Sequence, residues 1–600
     1  MAEMNSTTES TALSGKILFR QECVFWCTAA VLLFLFLWSP FHWENEVIHA
    51  EITREMLVSG NWFHPALNWQ VFPEKPVLGF WATLPFVKLL GFSEFAVRLP
   101  SVLAALGALY VLRLLGRRLF SEKVSSIGCW LFLSSAGFLL WGRNAGTDMF
   151  NTLAVLLAVN CFFKLAEKPS FTGYACFYLL CFGGALFNDL RTLFTPLLLV
   201  GPLVLQQKMW KVLWNRDHLF AFLLCLTFYV FYFYVTQSLP FGAGQISAAQ
   251  IAPNFPELLW SDFAKAYRRL VFFPGSWYSC WREMLLFLLP WTPVLPVGIA
   301  GLLKNWKNLS PTIRTLFLSV CGTFIIYTVL GTRSFGATLP LLPFLLLFCA
   351  AGFGGKGVDA WNQHALNTAY YFCITAASFC VCSIITYPLW EKIADYTPPA
   401  ALVLGPVAAG VLSWLLLFMD HRANSSITRL IGLPHRMGST LLAGTILSGA
   451  ALTVVFPVVS QEFDTEKRFF QELHRQLSDK GSKTGKTAVA SFGSPIPPAY
   501  LFYNALTTPV PTVDDLELLV RKNPGKQVAV LMKKRKELQA RFNAQCKKYK
   551  VYSGKPFLTE KVLRWRAPDS RNDNFVACLI TLPGGETSLE SDRSTHRTQY

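Results

Sequence analysis

Apolar residues gather along this chain in long runs separated by short polar stretches, and the runs recur from about residue 22 to about residue 458. The first, Cys23 to Pro40, reads CVFWCTAAVLLFLFLWSP and has the length and apolarity of a segment that crosses a hydrocarbon core. Together with runs near 99–116, 124–143, 149–165, 172–187, 192–206, 218–238, 283–303, 315–331, 337–354, 367–388, 399–419 and 438–458, it predicts about thirteen membrane-spanning helices. Met1 to Gly15 is polar and small, and the run after it is too long for a signal-peptide core, so the first span is expected to stay as an anchor. Beyond residue 460 the texture changes. Thr487 to Phe492 (TAVASF) and Gln527 to Met532 (QVAVLM) read as short strands, and Thr465 to Leu477 and Asp514 to Arg521 have helical spacing. The expectation is an all-α polytopic membrane domain over 1–460, followed by a small soluble α/β domain over 461–600 whose tail frays from about Gly584.

Lys and Arg set the orientation. One group of loops holds Arg117, Arg118 and Lys123, then Lys164 and Lys168, Lys208, Lys211 and Arg216, Lys304, Lys307 and Arg314, Lys356, and Arg422, Arg429 and Arg436, and these are expected to face the cytoplasm. The loops 41–98, 144–148, 188–191, 239–282, 332–336 and 389–398 then face the other side. With an odd number of spans, so does everything after residue 460.

Composition changes the picture only by excluding soluble classes: 53% hydrophobic, 15% charged and a mean hydropathy of +0.38 do not describe a soluble enzyme. The fifteen cysteines lie mostly inside apolar runs without a paired framework, as small buried hydrophobes do. Gly481 to Thr487 (GSKTGKT) is one residue short of a phosphate-binding P-loop, and it reads as a turn. Gly352 to Gly357 (GFGGKG) reads as a flexible turn at a span end. No HExxH motif or close His pair appears. The basic residues Lys533 to Lys536, Lys547, Lys548 and Lys550 form a solvated face, one able to sit against anionic headgroups, rather than a nucleic-acid site.

Candidate chemistry lies at the span ends expected on the outer face. The loop from Trp43 to Arg98 concentrates Glu44, Glu46, His49, Glu51, Arg54, Glu55, Glu74 and Lys75. Asp148, the cluster Asn188-Asp189-Leu190-Arg191, and Arg333 also stand where apolar runs stop on that face. A charge at one helix end can simply snorkel to the interface. Acids and cations from several loops on one face suit an anionic, lipid-borne substrate, with cations holding a phosphate and a carboxylate handling the acceptor.

The run AEITREMLVSGNWFHPALNWQVFPEKPVLGFW, followed by FSEFAVRLPSVLAALGALYVLRLLGRRLF, resembles the first outer loop and second span of the GT-C glycosyltransferases that use lipid phosphosugars. The similarity is greatest to the lipid A aminoarabinose transferase and protein mannosyltransferase-like branch and covers about residues 20–360, with Asp148, Tyr278 ahead of LLPWTPVLP, and Leu339 to Pro343 (LPLLP) matching in order. It implies GT-C architecture, a polyprenyl-phosphate sugar donor, a lipid or protein acceptor, and inverting transfer on the periplasmic face of the cell inner membrane. By the same resemblance Lys75, Arg333 and Arg191 grip the donor phosphate, and Glu74, His49 and Tyr278 serve the acceptor or a divalent metal ion. Asp148 is a base or positioning group. Two positions depart from the family pattern: Asn45-Glu46 stands where it has Asp-Glu, and Asn188 to Arg191 where it has Thr-Lys-Gly-Pro.

The first departure bears on mechanism. An inverting transfer to a hydroxyl needs a base for the acceptor proton, and an Asn cannot serve. Glu44, Glu46 or Asp148 must then do so, unless the acceptor is a phosphate already ionised at neutral pH. A transporter of lipid-linked sugars is the alternative from another class, and it would need acids at the midplane with access from both sides.

Overall fold

The computed structural model describes residues 20–41, 44–72, 76–187, 190–206, 214–238, 277–330, 336–354, most of 367–380, 400–422 and 435–455, and five strands and a short helix between 488 and 580. It has two compact units, one of residues 1–66 and 71–461 and the other of 67–70 and 462–600. Ahead of residue 462, α1 covers residues 20–34, α2 Glu44–Ser59, β1 Ala66–Leu67, β2 Gln70–Val71, α3 Leu78–Leu90, α4 Glu94–Leu119 and α5 Glu122–Leu133. Then come α6 Ala136–Trp141, α7 Asp148–Glu167, α8 Phe171–Phe187, α9 Leu190–Gln206, α10 Arg216–Ser238, α11 Trp277–Phe287, α12 Leu295–Lys304, α13 Pro311–Leu330 and α14 Leu342–Gly354. The helices Ala400–Arg422 and His435–Gly449 follow. Among the described residues, three helices are long and apolar enough to cross a membrane, within α4, α7 and α13, and seven shorter apolar helices accompany them.

Local sequence explains where the helices begin. Ser93 Oγ accepts from Ala96 N–H at 3.3 Å, with Glu94 in the first turn of α4 and Arg117 and Arg118 in its last, so charge runs with the helix dipole at both ends. Ser121 caps α5 in the same way, through Val124 N–H. At that end Glu22 of α1, Arg113 and Arg117 of α4, and Glu122 of α5 form one ionic network. Arg117 Nη2 is 2.8 Å from Glu22 Oε1, and Arg113 Nη2 is 3.0 Å from Glu122 Oε1.

Two expected spans are each broken, and each break braces the other. The run 124–143 divides into α5 and α6 at Ser134 and Ser135, where Ser134 Oγ donates to Trp130 O at 2.6 Å and accepts from Trp291 Nε1 at 2.8 Å. Ala136 N–H donates to Leu289 O at 2.7 Å. The segment supplying Trp291 and Leu289 is the one that splits the run 283–303 into α11 and α12. Hydropathy sees a continuous apolar stretch in both places, whereas the backbone has stepped sideways. The stretch 41–98, expected as an outer loop, contains the buried helix α2 and the apolar helix α3.

Glycine sets the closest helix approach. A Cβ on Gly352 of α14 would lie 1.8 Å from Gly298 O of α12, and one on Gly298 would lie 2.4 Å from Cys349 Sγ, so the two backbones touch as small residues allow.

In the second unit the strands β3 Ala488–Phe492, β4 Thr512–Val513, β5 Val528–Met532, β6 Lys547–Lys548 and β7 Val576–Ile580 form one sheet in the order β4-β3-β5-β7-β6. β3 runs parallel to β4 and β5, with Ala488 opposite Val528, and β7 is antiparallel to β5 and β6. β3 and β5 lie within the two segments read as strands. Their near-continuous apolar runs suit strands covered on both faces. The helices expected over 465–477 and 514–521, and the turn Gly481 to Thr487, lie outside the described residues.

Replacing Gly352 by Ala forces α12 and α14 apart and is expected to cost about 1–3 kcal/mol of stability. Gly322→Ala in α13, where a Cβ meets nothing within 4 Å, is the matched control. Thermal unfolding of the purified protein should show a lowered midpoint for the first variant alone.

Candidate functional site

The site is assembled from helix ends, and one ion pair fixes their arrangement. Glu46 of α2 is fully buried and Arg98 of α4 is 1% exposed. Arg98 Nε donates to Glu46 Oε1 at 2.9 Å and Nη2 donates to Oε2 at 3.0 Å. The remaining guanidinium protons reach the chain leaving α1: Nη1 donates to Leu37 O at 3.1 Å and to Ser39 O, and Nη2 donates to Pro40 O at 3.0 Å. All five donors are thus used. The Phe41 ring centroid lies 5.3 Å from Arg98 Cζ. Glu46 Oε1 also accepts from Ala145 N–H at 2.9 Å, three residues before α7 begins.

Asp148 opens α7, where the unpaired N–H groups of a first turn favour an anion. Its carboxylate faces Gly336, which sits at φ +108° ahead of the Leu339–Leu341 turn. A Cβ on Gly336 would fall 2.9 Å from Asp148 Cγ and Oδ1 and 2.9 Å from Trp141 Nε1. Gly336 N–H donates to Glu283 Oε1 of α11, a side chain 3% exposed. Among the described residues, Asn144 Oδ1, Asn151 Oδ1 and Thr338 Oγ1 are buried without a hydrogen-bond partner, and all three come from the segments that flank Asp148 and Gly336. Buried polar atoms left this way suit a polar ligand.

A second helix N-terminus meets the first. A Cβ on Gly79, in the first turn of α3, would lie 2.3 Å from Thr147 Cγ2, 3.5 Å from Phe187 O and 3.7 Å from His49 Cε1. The α3 N-terminus, entered directly from the Glu74-Lys75 pair, therefore abuts the residue before Asp148 and the end of α8. Two converging helix N-termini make a setting for phosphate. His49 itself is held inside this packing: its ring stacks on Phe80 with centroids 4.7 Å apart, and Nε2 lies 3.0 Å from Thr83 Oγ1. Since the Thr83 hydroxyl proton is directed to Gly79 O at 3.1 Å, the Nε2 of His49 is the donor to Thr83.

Further along α2, Arg54 Nε and Nη2 each donate to Glu51 at 2.8 Å, and both side chains are buried. Burial pushes the Glu51 carboxyl above its ordinary range, against the opposing pull of Arg54.

The comparisons with known proteins fit this geometry. A family model described as dolichyl-phosphate-mannose-protein mannosyltransferase matches residues 74–235. An undecaprenyl phosphate-alpha-4-amino-4-deoxy-L-arabinose arabinosyl transferase of Shewanella sediminis is 26% identical over 459 residues, 74% of this chain and 77% of that protein. Its counterpart from Edwardsiella ictaluri is 32% identical over 307 residues, 47% of this chain and 50% of that protein. The crystal structure of ArnT from Cupriavidus metallidurans bound to undecaprenyl phosphate superposes with a TM-score of 0.67 at 16% identity, covering 94% of this chain and 99% of that one. This chain is a membrane glycosyltransferase of GT-C architecture.

Within this glycosyltransferase, the candidates from the sequence fall into three groups. The structure brings Glu46, His49 and Asp148 to one end of the helices, with Glu46 engaged as the counterion of Arg98. Tyr278 stands in the first turn of α11 with an exposed ring, 5.9 Å from Arg282 Cζ, as a surface side chain. Glu44 opens α2 and Arg191 lies in the first turn of α9, but their side chains are not described, and Glu74, Lys75 and Arg333 lie outside the described residues. Among the described residues, no group of three His, Cys, Asp or Glu side chains could hold a metal ion. Sequence reasoning passed over Arg98, Glu283, Trp141 and Gly336. The signal for Arg98 was present, since it is a lone charge inside the apolar run FAVRLPSVL, whereas Glu283 is masked by Arg282 beside it at the start of the run REMLLFLLPW.

Arg98→Ala strands a buried carboxylate and frees the carbonyls that leave α1, so it is expected to cost about 3–5 kcal/mol. Arg98→Lys should recover little of this, because three donors cannot replace a five-donor fork. Thermal unfolding and the yield of monodisperse protein check both.

Proposed function

We propose that this glycosyltransferase moves a sugar from a polyprenyl-phosphate donor to a lipid A-like acceptor on the periplasmic face of the cell inner membrane. The observation that carries the reading is the convergence of the α3 and α7 N-termini, with Asp148 at the second and the Glu74-Lys75 pair leading into the first. The arabinosyl transferases named above act, by their names, on an undecaprenyl phosphate-linked amino sugar, and the alignment with the first of them runs over three quarters of this chain. The match to the mannosyltransferase model is confined to residues 74–235, so the aminoarabinose reading is preferred to a protein acceptor.

In the proposed mechanism Lys75, Arg333 and Arg191 hold the donor phosphate and neutralise charge as the sugar–phosphate bond breaks. Asp148 faces the acceptor and takes its proton. Glu46 is not assigned as base, because both its oxygens already accept hydrogen bonds from Arg98 and Ala145. With Asn45 unable to act, Asp148 is the carboxylate that remains among the described residues at the two N-termini.

The deciding experiment is mass spectrometry of lipid A from cells with and without the gene, followed by transfer assays with purified protein, with and without a chelator of divalent ions. Loss of an amino-sugar adduct on lipid A is the expected outcome; an unchanged lipid A with altered envelope protein glycans would overturn the acceptor assignment.

Asp148→Asn should lower turnover by about 10²–10⁴-fold with donor affinity nearly intact. A loss below about tenfold would instead assign the acceptor as an already ionised phosphate. Lys75→Ala and Arg333→Ala should each weaken polyprenyl-phosphate binding by roughly ten- to a hundredfold, the worth of a charge-assisted contact in a water-poor groove. Equilibrium binding of undecaprenyl phosphate measures this directly, and unchanged binding in both variants would place the phosphate elsewhere.

A further inference from the structure

Glu283 is an acid that nothing in the reaction described so far uses. It lies in α11 beside Arg282, where the apolar run Met284 to Phe287 begins, is 3% exposed, and accepts the N–H of Gly336. Gly336 occupies a backbone conformation suited to glycine, and there is no space for a side chain, because Asp148 and Trp141 Nε1 fill the position where its Cβ would stand. One turn along α11 from Glu283, Phe287 packs on Trp141 with ring centroids 4.7 Å apart. The same short helix therefore braces two walls of the Asp148 carboxylate, one through a hydrogen bond to Gly336 and the other through an aromatic contact. The bond from Glu283 also fixes the residue that leads into the Leu339–Leu341 turn.

We propose that Glu283 is a positioning residue for the transfer reaction, acting through Gly336 to hold the Asp148 carboxylate in line with the acceptor. The proposal rests on the role given to Asp148 above. A buried carboxyl oxygen that accepts a backbone N–H pins that peptide group in place. A displacement of about 1 Å at a reacting group is enough to cost on the order of a hundredfold in rate.

The test is a mutant cycle on the purified full-length protein, with undecaprenyl-phosphate-linked 4-amino-4-deoxy-L-arabinose as donor and lipid A as acceptor. Glu283→Ala should lower kcat by about 10- to 100-fold while the donor KM changes by less than about threefold. Glu283→Gln, whose amide oxygen can still accept the Gly336 N–H, should recover most of the loss. In an Asp148→Asn background Glu283→Ala should cost little more, since the group it positions is already disabled. Gly336→Ala keeps Glu283 and instead drives a methyl group onto Asp148, so it should reproduce the kcat loss, and it decides the matter if Glu283→Ala does not fold. Parental kcat in Glu283→Ala or Gly336→Ala, a Gln variant as impaired as the Ala variant, or fully additive losses with Asp148→Asn would overturn the proposal. If Asp148→Asn itself kept full activity, or the parent transferred no sugar, the underlying reading would fail instead.

Discussion

The arrangement of helix ends around Asp148 in this glycosyltransferase depends on the bond between Glu46 and Arg98. Two opposite charges are buried together, each would be prohibitively costly alone, and the arginine leaves none of its five donors unused. What makes the pair consequential is where its other contacts go. Arg98 takes carbonyls from the exit of α1, and Glu46 takes the N–H of Ala145 ahead of α7. A first-loop helix, a span exit and the loop that presents Asp148 are thereby locked to one guanidinium. Of the two first-loop acids that sequence alone offers as a base, Glu44 and Glu46, the fold uses Glu46 as a scaffold.

Around that anchor the protein relies on absent side chains. Gly79 allows α3 to press against Thr147 and His49, and Gly336 allows a turn to lie flat on the Asp148 carboxylate. Gly298 and Gly352 bring α12 and α14 into backbone contact. In each case a methyl group would occupy space already filled, so the approach is set by sterics and not by flexibility. The consequence for chemistry is that Asp148 has solid walls, Gly336 and Trp141, and that helix N-termini with their unpaired N–H groups come together there.

This arrangement explains how a mostly apolar chain supports ionic chemistry. Buried polar groups near the site either have a fixed protein partner, as with Glu51 and Arg54 within α2, or have none within the protein, as with the buried amide oxygens of Asn144 and Asn151. The broken helices serve the same end. By stepping at Ser134 and at Trp291, two apolar runs exchange hydrogen bonds and bring the α6 residue Trp141 and the α11 residues Glu283 and Phe287 to the side of Asp148.

The sequence by itself determined the class of molecule, most of the places where apolar helices lie though not α3, two strands of the C-terminal sheet, and Asp148 as a carboxylate at the end of an apolar run. These follow from sums over neighbouring residues, such as hydropathy and periodicity, or from a motif that is contiguous in the chain. Tertiary structure alone decided that the runs 124–143 and 283–303 are each two helices, because the partners that stabilise each break are more than 150 positions away. It also decided that Glu46 is a counterion, since its partner Arg98 stands 52 residues on and the hydrogen bond from Ala145 comes 99 residues on. Glu283 and Gly336 read as a stray acid and a loop glycine until the fold sets them against Asp148. The energy of a buried charge depends on what surrounds it in space, and no local property of the chain carries that information.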